Sequence, residues 1–375
     1  METADSFAGV NDVGKIGLLT EIEFEFLCDV KRLSLRNRGL DCILCSNDDV
    51  KFSLQKKGLI DKVGLTEKGL AALEPYRVQN AVIMAAGLSS RFVPLSLEKP
   101  KGLLEVKGEV LIERQIEQLH EVGIRDIILV TGYKQAMFSY LEHKYEGLRL
   151  IFNPEYMTKN NTHTLYLARE YLDNTYICSS DDYFEKNPFE PYVYSSYYAS
   201  LYVEEKTDEW YMIPDAENDI AQVKKSGGAG FIMLGHAYWD RAFSKAMRQF
   251  LEEDRNIGKY DDAFWEDILA ENINALPPMK IRVYPEDAIF EFDSLEDLRA
   301  FDHEYLDNTR CRIMKNIANA LSCRESDIRH CCNLSKDPNR YTFNFTVFGK
   351  EYVYRHSEDD IMDYECCEVS TNCVQ

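Results

Sequence analysis

The chain has 375 residues, of which 45% are hydrophobic and 29% are charged, and its formal net charge is −21. This length and composition are typical of a globular protein with two or three domains. The negative charge argues against a protein whose main function is to wrap nucleic acid, because phosphate neutralisation requires clustered lysine and arginine. We find no apolar run long enough to cross a membrane and no secretory signal, and we therefore expect a cytoplasmic protein.

The eleven cysteines are scattered along the chain. Cys42 and Cys45 have the spacing of metal ligands, but no second pair follows at zinc-finger distance. The vicinal pairs 331–332 and 366–367 have poor geometry for one tetrahedral zinc site. We therefore expect reduced thiols and no structural zinc.

Residues 1–77 have the pattern of a small helical domain, and the segment from Lys57 to Gly69 resembles the wing and last helix of winged helix-turn-helix domains. Acidic residues crowd its first two helices, so docking or dimerisation is as good an expectation as DNA binding. Thr20 is the expected N-cap of the first helix, with Glu23 three residues later. The predicted helices are Leu19–Val30, Asp48–Lys57 and a third that begins at Thr66.

Residues 78–306 alternate between strand and helix patterns. Short β-branched runs separated by helices predict βαβ units and a doubly wound, mainly parallel α/β sheet. Such a sheet binds ligands at the carboxyl ends of its strands. The predicted strands are Ala81–Met84, Ile127–Val130, Leu148–Phe152 and Tyr176–Cys178, and the first long helix is Leu111–Val122.

Residues 307–375 form a third predicted part, a C-terminal extension. Asn308–Leu321 predicts a helix, and Tyr341–Phe348 followed by Glu351–Arg355 predicts a β-hairpin around Gly349. The residues from Ser357 onwards are acidic and cysteine-rich without periodicity, which is typical of a frayed terminus.

The strongest functional signal is the segment Ala85-Ala86-Gly87-Leu88-Ser89-Ser90-Arg91, which we call the signature segment, followed by Lys99-Pro100-Lys101. Small residues directly after a strand allow the backbone to approach a triphosphate, and successive N–H groups can bind its oxygens. Arg91 and Lys101 supply local positive charge in an acidic protein. The segment is neither a dinucleotide-binding fingerprint nor a P-loop.

This combination resembles the nucleotidyltransferase superfamily, and later motifs resemble bacterial CTP:phosphocholine cytidylyltransferases over roughly residues 80–305. The resemblance implies transfer of CMP from CTP to a small phosphorylated amino-alcohol, with phosphocholine as the leading acceptor, to make a phospholipid or teichoic acid precursor. The alternatives are a cytidylyltransferase for 2-aminoethylphosphonate or phosphoethanolamine, and a nucleotide-sensing regulator that binds DNA. The later motifs are Asn160–Tyr166, Thr207–Tyr211, Gly235–Asp240, Asp262–Trp265 and Phe290–Ser294.

By this resemblance, Lys101 and Arg91 are the expected catalytic residues, with Lys101 stabilising charge that develops on phosphate. Gly132 and Tyr133 match the position at which relatives hold the base. The expected nucleotide-binding residues are Ala85, Ala86, Gly87, Ser89, Ser90, Gly132 and Tyr133.

The reaction joins two anions, so the resemblance also implies Mg²⁺ as charge stabiliser and template. Asp181 matches the first metal-binding aspartate of the family, and Glu291 and Asp293 match its second acidic pair. Ser179 stands where the family usually has another acid. We interpret Asp182 as an ordinary turn residue.

A quaternary ammonium group is recognised by aromatic faces together with a carboxylate. The chain concentrates aromatic residues within 202–265, where many must belong to the core. Phe264 stands where the relatives tend to carry a tyrosine, and Thr162-His163 stands where they have an aromatic pair. These losses weaken the aromatic cage and would also suit a primary amine, as in 2-aminoethylphosphonate. The expected acceptor contacts are Asn161, Trp210, Tyr238, Asp262, Phe264 and Trp265, of which Trp210, Asp262 and Phe264 match the choline pocket of the family best.

The hairpin of residues 343–355 resembles the first strands of choline and ethanolamine kinases, which some bacteria fuse behind this cytidylyltransferase. Ser357-Glu358 replaces the next Pro-Gly of that family, and no kinase catalytic loop follows. The extension therefore predicts a truncated fusion or a relic, with a dimerising hairpin as the alternative.

Overall fold

A computed structural model describes residues 19–35, 48–334 and 342–355. Cys42, Cys45, the pair 366–367 and the acidic tail lie outside these residues. The described residues form two compact units, of which the first comprises those up to Val78 together with Pro191–Tyr194. The predicted boundaries at 77 and 306 stay predictions. No helix among the described residues is both long and apolar enough to cross a membrane.

The first unit has three short helices around a small apolar core. Thr20 and Glu23 exchange hydrogen bonds of 3.3 Å between their backbone N–H groups and each other's side chains, which confirms the predicted cap. Leu27, Leu54 and Leu73 are fully buried in this core. Its helices are α1 (Glu21–Leu35), α2 (Asp48–Lys56) and α3 (Glu67–Leu73).

The second unit contains a nine-stranded mixed sheet and three small sheets. The predicted strands of the α/β region are confirmed with small changes at their ends. The strands are β1 (Asn80–Ala85), β2 (Glu105–Val106), β3 (Glu109–Val110), β4 (Ile127–Thr131), β5 (Leu148–Phe152), β6 (Thr175–Ser179), β7 (Asp182–Phe184), β8 (Tyr197–Thr207), β9 (Tyr211–Pro214), β10 (Ile220–Lys224), β11 (Gly228–Trp239), β12 (Lys280–Val283), β13 (Ile289–Glu291), β14 (Ile328–Asn333), β15 (Thr342–Val347) and β16 (Lys350–Arg355).

Helices pack on this sheet and on the C-terminal strands. The predicted helix at Leu111 is confirmed, and the C-terminal helix begins four residues after the predicted Asn308. The helices are α4 (Leu95–Glu98), α5 (Leu111–Glu121), α6 (Tyr140–Lys144), α7 (Asn161–Ala168), α8 (Arg241–Asp254), α9 (Trp265–Asn272), α10 (Leu295–Phe301), α11 (Glu304–Asp307) and α12 (Arg312–Leu321).

The central strands β5, β4, β1 and β6 pair in parallel in that order, as expected for βαβ units. Beyond β6 the sheet becomes largely antiparallel, because β6 pairs with β11, which also pairs with β8 and β9. The exception is β12, which pairs with β8 in parallel. The chain from 197 to 239 contains strands joined by tight turns rather than helices, and such connections produce antiparallel neighbours. The fold is thus mixed α/β around a parallel centre. Only its parallel half follows the doubly wound pattern.

Candidate active site

A cleft of about 550 Å³ opens at the carboxyl ends of β1 and β6. These ends lie side by side because the two strands pair in parallel. The predicted site residues that line this cleft are Ala86, Gly87, Ser89, Ser90, Arg91, Lys101, Asn161, Asp181, Asp262, Phe264, Glu291 and Asp293. The structure therefore collects residues from distant parts of the sequence on one concave surface.

The signature segment follows β1 and turns sharply away from the sheet. Ser89 has a φ of +49°, in the left-handed region, and a short 3₁₀ turn begins at Ser90. Ala85 is the last residue of β1 and does not line the cleft. The turn exposes the backbone of the segment to the cleft, as an anion-binding loop requires.

The connection after β4 packs against the signature segment. The backbone N–H of Tyr133 donates a hydrogen bond of 3.2 Å to the carbonyl oxygen of Ala86. A Cβ atom at Gly132 would lie 2.6 Å from that oxygen and 2.6 Å from the Cβ of Tyr156, so only glycine fits there. Gly132 and Tyr133 do not line the cleft, and they support the segment from behind.

Two ion pairs join the basic and acidic residues of the cleft. The Nζ of Lys101 donates to Oδ2 of Asp181 at 2.7 Å, and the lysine side chain is 8% exposed. Burial disfavours the charged ammonium and so lowers the pKa of Lys101. The carboxylates of Asp181, Glu291 and Asp293 together have the larger effect, and the pKa of Lys101 is raised. Arg91 contacts both carboxylate oxygens of Asp293, at 3.0 and 2.9 Å. Lys101 and Arg91 are thus charged and held at the cleft.

The acidic residues outnumber these cations. Desolvation by the cleft walls, followed by the charge of Asp181, raises the pKa of Glu291 to about 7. Asp182 lies opposite Glu291 in the β7–β13 pair and is 1% exposed. Desolvation, followed by the charges of Glu291 and Asp181, raises the pKa of Asp182 well above its usual value. The interpretation of Asp182 as an ordinary turn residue is therefore wrong.

The opposite end of the cleft is built on the N-terminus of α7. The side-chain oxygen of Asn161 accepts a hydrogen bond of 2.8 Å from the backbone N–H of Trp265. This bond fixes the preceding loop, in which Asp262 and Phe264 face the cleft. The Phe264 ring is 45% exposed and meets the Trp210 ring edge to face, with 5.9 Å between their centroids.

Two predicted acceptor contacts are corrected by the structure. Tyr238 is fully buried beside Tyr176 and Tyr197, and Trp265 is 1% exposed and stacks on Tyr198. Tyr238 therefore packs with the tyrosines of β6 and β8, whereas Trp265 packs with Trp239 and Tyr198, and neither ring lines the cleft. Aromatic side chains in strands and at helix starts pack inward because burial of their large apolar surface stabilises the fold.

The segment between β5 and α7 contributes residues that the sequence analysis missed. Asn153, Tyr156 and Lys159 of this segment and Thr164 of α7 line the cleft, and Lys159 adds a third cation to its wall. Its Nζ lies 3.1 Å from a carboxylate oxygen of Asp261. The available signal was their position between the carboxyl end of a strand and the next helix, where α/β sheets bind ligands.

A divalent cation would need oxygen ligands in this cleft. Among the described residues, no three acidic, histidine or cysteine side chains converge closely enough to hold a metal ion by themselves. Asp181, Glu291 and Asp293 nevertheless line one cleft, and their hard oxygen donors suit Mg²⁺, which commonly takes one or two carboxylates together with substrate phosphates. The residues therefore fit a metal that arrives with a triphosphate.

The central part of the chain matches a known protein family. Residues 81–184 match the MobA-like NTP transferase domain. The chain is 37% identical to the choline-phosphate cytidylyltransferase of Streptococcus pneumoniae over 226 residues, which cover 59% of this chain and 96% of that protein. It is 33% identical to the 2-aminoethylphosphonate cytidylyltransferase of Lancefieldella rimae, covering 60% of this chain and 93% of that protein.

A solved structure agrees with this placement. The solved structure of the CTP:phosphocholine cytidylyltransferase of Streptococcus pneumoniae superposes with a TM-score of 0.58 at 36% identity, covering 61% of this chain and 99% of that one. The signature segment and the strands β4, β5 and β6 fall within the matched residues 81–184, whereas the cleft is also lined by Asp262, Phe264, Glu291 and Asp293. The chain is therefore a nucleotidyltransferase, and it belongs to the family of bacterial choline-phosphate cytidylyltransferases.

Proposed function

We propose that this enzyme transfers CMP from CTP to phosphocholine and releases pyrophosphate. The observation that carries the proposal is the pair of cations, Lys101 and Arg91, fixed on Asp181 and Asp293 beside the exposed signature segment. The names of the relative and of the solved structure from Streptococcus pneumoniae support CTP and phosphocholine as the substrates. The cleft joins a phosphate-binding end and an aromatic end, as such a pair of substrates requires.

The triphosphate would bind at the signature segment. Backbone N–H groups of Ala86, Gly87, Ser89 and Ser90 would meet its oxygens, and Arg91 would add a fork of donors. The support is the position of these residues along the cleft wall. Ala85, Gly132 and Tyr133 would hold the loop and the base pocket from behind.

Asp181, Glu291 and Asp293 would hold Mg²⁺ together with phosphate oxygens of CTP. When bound, the ion would neutralise phosphate charge and orient the triphosphate. The raised pKa values of Glu291 and Asp182 support the proposal, because desolvation and then the neighbouring carboxylates disfavour their ionised forms, which a bound cation would stabilise. CTP would bind in competition with the ion pairs that Lys101 and Arg91 now make.

In the proposed reaction, a phosphate oxygen of phosphocholine attacks the α-phosphorus of CTP. The new oxygen–phosphorus bond forms as the bond between the α-phosphorus and the bridging oxygen breaks, and pyrophosphate leaves with that electron pair. Lys101 keeps its proton and stabilises the negative charge on the transferring phosphoryl group. No side chain of the cleft needs to remove a proton, because the attacking phosphate oxygen is already ionised.

The cationic head group would lie at the aromatic end, against Trp210 and Phe264 and near Asp262. A cation over an aromatic face is stabilised by about 0.5–2 kcal/mol, depending on its desolvation. Trp210 does not itself line the cleft, but its ring packs on the exposed Phe264. Asn161 would position the loop that carries Asp262 and Phe264.

A second acceptor class is favoured by one observation. The Nζ of Lys225 lies 4.8 Å from the centroid of the Trp210 ring, so a primary ammonium already fits this face. The same nitrogen lies 2.6 Å from Oδ1 of Asp267. A primary amine such as 2-aminoethylphosphonate is therefore the alternative acceptor, in line with the name of the Lancefieldella relative.

Pyrophosphate release tests the proposal. The purified enzyme is assayed with CTP and Mg²⁺ against phosphocholine, phosphoethanolamine, 2-aminoethylphosphonate and glucose 1-phosphate. The proposal expects the highest kcat/KM with phosphocholine. A higher kcat/KM with 2-aminoethylphosphonate would move the assignment to the second acceptor class, and turnover with glucose 1-phosphate alone would contradict both.

A further inference from the structure

Residues 308–334 and 342–355, the described part of the C-terminal extension, complete a hydrophobic core with residues that follow the signature segment. Phe92 and Leu95, which follow Arg91, are 1% and 2% exposed. They share one apolar cluster with Met314 and Ile317 of α12 and with Phe345 of β15. The residues between Arg91 and Lys101 therefore rest on the C-terminal extension, and their placement depends on it.

Glu98 joins this stretch directly to α12. One carboxylate oxygen accepts a hydrogen bond of 3.0 Å from the backbone N–H of Arg312, and the other accepts one of 2.8 Å from that of Ile313. These are the first two residues of the helix, whose N–H groups have no partners within the helix. Glu98 precedes Lys101 by only three residues, so the contact fixes the start of the turn that carries Lys101.

The acidic side of the cleft has its own tether to the extension. Arg299 of α10 is 3% exposed and donates to the carbonyl oxygens of Glu325 and Ile328, at 2.6 and 2.8 Å. The N-cap of α10 is Ser294, which directly follows Asp293. The same extension thus holds both the chain segment of Lys101 and that of Asp293.

We infer that residues 308–334 and 342–355 are a positioning element of the active site and that Glu98 is a positioning residue for Lys101. The inference rests on the proposed function of Lys101. The pneumococcal relative is matched over 96% of its length by only 59% of this chain, so a large part of this chain has no counterpart there. In this enzyme, the extension sets the separation between the phosphate-binding cations and the acidic residues.

The test compares Glu98→Ala and Glu98→Gln with Glu304→Ala as the matched control. The Glu304→Ala variant also loses one negative charge next to the extension. The carboxylate of Glu304 pairs with Arg310, however, and its side chain is 72% exposed. Circular dichroism first establishes the temperature at which each variant is folded, and kcat and KM are measured there. Glu98→Ala is expected to lower kcat about 10- to 100-fold, as misplacement by about 1 Å does.

The same variant is expected to leave KM for both substrates within about threefold, because Glu98 touches neither. Glu98→Gln retains one acceptor oxygen and is expected to recover part of kcat. Unchanged kcat in folded Glu98→Gln and Glu98→Ala, with only a lower melting temperature, would overturn the inference. If the alanine variant does not fold, the glutamine variant decides.

A second readout does not depend on turnover. Limited acetylation followed by mass spectrometry reports the reactivity of Lys101 against the exposed Lys99 in the same chain. Loss of the hydrogen bonds between Glu98 and α12 is expected to loosen the turn that carries Lys101. The labelling of Lys101 relative to Lys99 should therefore rise several-fold in Glu98→Ala and not in Glu304→Ala. Equal labelling would overturn the inference, whereas a wild-type enzyme without turnover but with this labelling difference would count against the proposed function alone.

Discussion

The ammonium of Lys101 donates a hydrogen bond of 2.7 Å to the carboxylate of Asp181, although the two residues are eighty positions apart. Lys101 begins a short 3₁₀ turn ten residues after Arg91, and Asp181 lies between β6 and β7. In the proposed function, a phosphate oxygen would replace Asp181 at Lys101, and a divalent cation would replace Lys101 at Asp181.

The first prediction concerns this lysine. Lys101→Ala should lower kcat/KM by about 10²–10³, the usual effect of removing one donor from a site where charge develops. Steady-state pyrophosphate release measures the loss. Lys99→Ala is the control, since Lys99 is exposed, lies outside the cleft and differs by only two positions. Equal activity of the two alanine variants would contradict the role of Lys101.

The second prediction concerns Gly132. A methyl group there would meet the carbonyl oxygen of Ala86 and the side chain of Tyr156 at 2.6 Å, so Gly132→Ala must displace the signature segment. We expect a lower unfolding free energy by about 1–3 kcal/mol and a higher KM for CTP. Urea denaturation and substrate titration measure the two effects.

Gly87→Ala provides the stability control for this variant. A Cβ atom at Gly87 would have no neighbour within 4 Å, and its φ is not in the left-handed region. Its unfolding free energy should therefore match that of the wild type. A Gly132→Ala variant as stable as Gly87→Ala would show that the loop after β4 does not support the signature segment.

The third prediction concerns acceptor choice. Lys225→Met removes the ammonium that lies over Trp210 and leaves an apolar chain of similar length. Without that competing cation, KM for phosphocholine should fall about threefold to tenfold, while KM for CTP stays constant. Lys224→Met is the control, because Lys224 is the exposed lysine that directly precedes Lys225 and its replacement removes the same charge. A rise in KM for phosphocholine would mean that Lys225 binds the acceptor phosphate instead.

The fourth prediction concerns pH and Glu266. Burial raises the pKa of Glu266 from its ordinary value of 4.5 to about 7, although Tyr198 donates to it at 2.9 Å. At pH values between 4.5 and about 7, Glu266 keeps its proton in the folded state, whereas in the unfolded state it has released that proton. The free energy of unfolding therefore falls as pH rises through this window.

Glu266→Gln removes this titration and serves as the reference. The stability of the wild type relative to the variant should decrease from pH 4.5 to pH 7, by at most about 3 kcal/mol, and then level off. Urea denaturation at several pH values measures the difference. A relative stability that rises with pH would contradict the buried, protonated carboxyl group.

The nucleotide end of the cleft was predictable because its signals are local. The signature segment follows a buried strand directly, and Lys101 follows ten residues later, so contiguous sequence carries the pattern. Asp181 is likewise read from its place after a strand. The helix caps at Thr20 and the hairpin-forming residues around Gly349 are local signals of the same kind.

The acceptor end and the buried carboxylates depend on long-range pairing. Asp182 reaches its buried place because β7 pairs with β13, which brings it opposite Glu291. The sequence next to Asp182 contains no local signal that predicts this register. Tyr238 and Trp265 were placed at the acceptor because aromatic composition cannot distinguish a ring in the core from one in a pocket. The antiparallel half of the sheet was missed for the same reason, since strand partners are set by the whole fold.

The most direct test of the account is the identity of the product. ³¹P NMR follows CTP, phosphocholine and Mg²⁺ with the wild-type enzyme. The proposed function predicts that the resonances of the two phosphorus atoms of CDP-choline grow in proportion to those of pyrophosphate. Lys101→Ala should nearly abolish both products. Release of CMP and pyrophosphate without CDP-choline, or no loss of CTP at all, would contradict it.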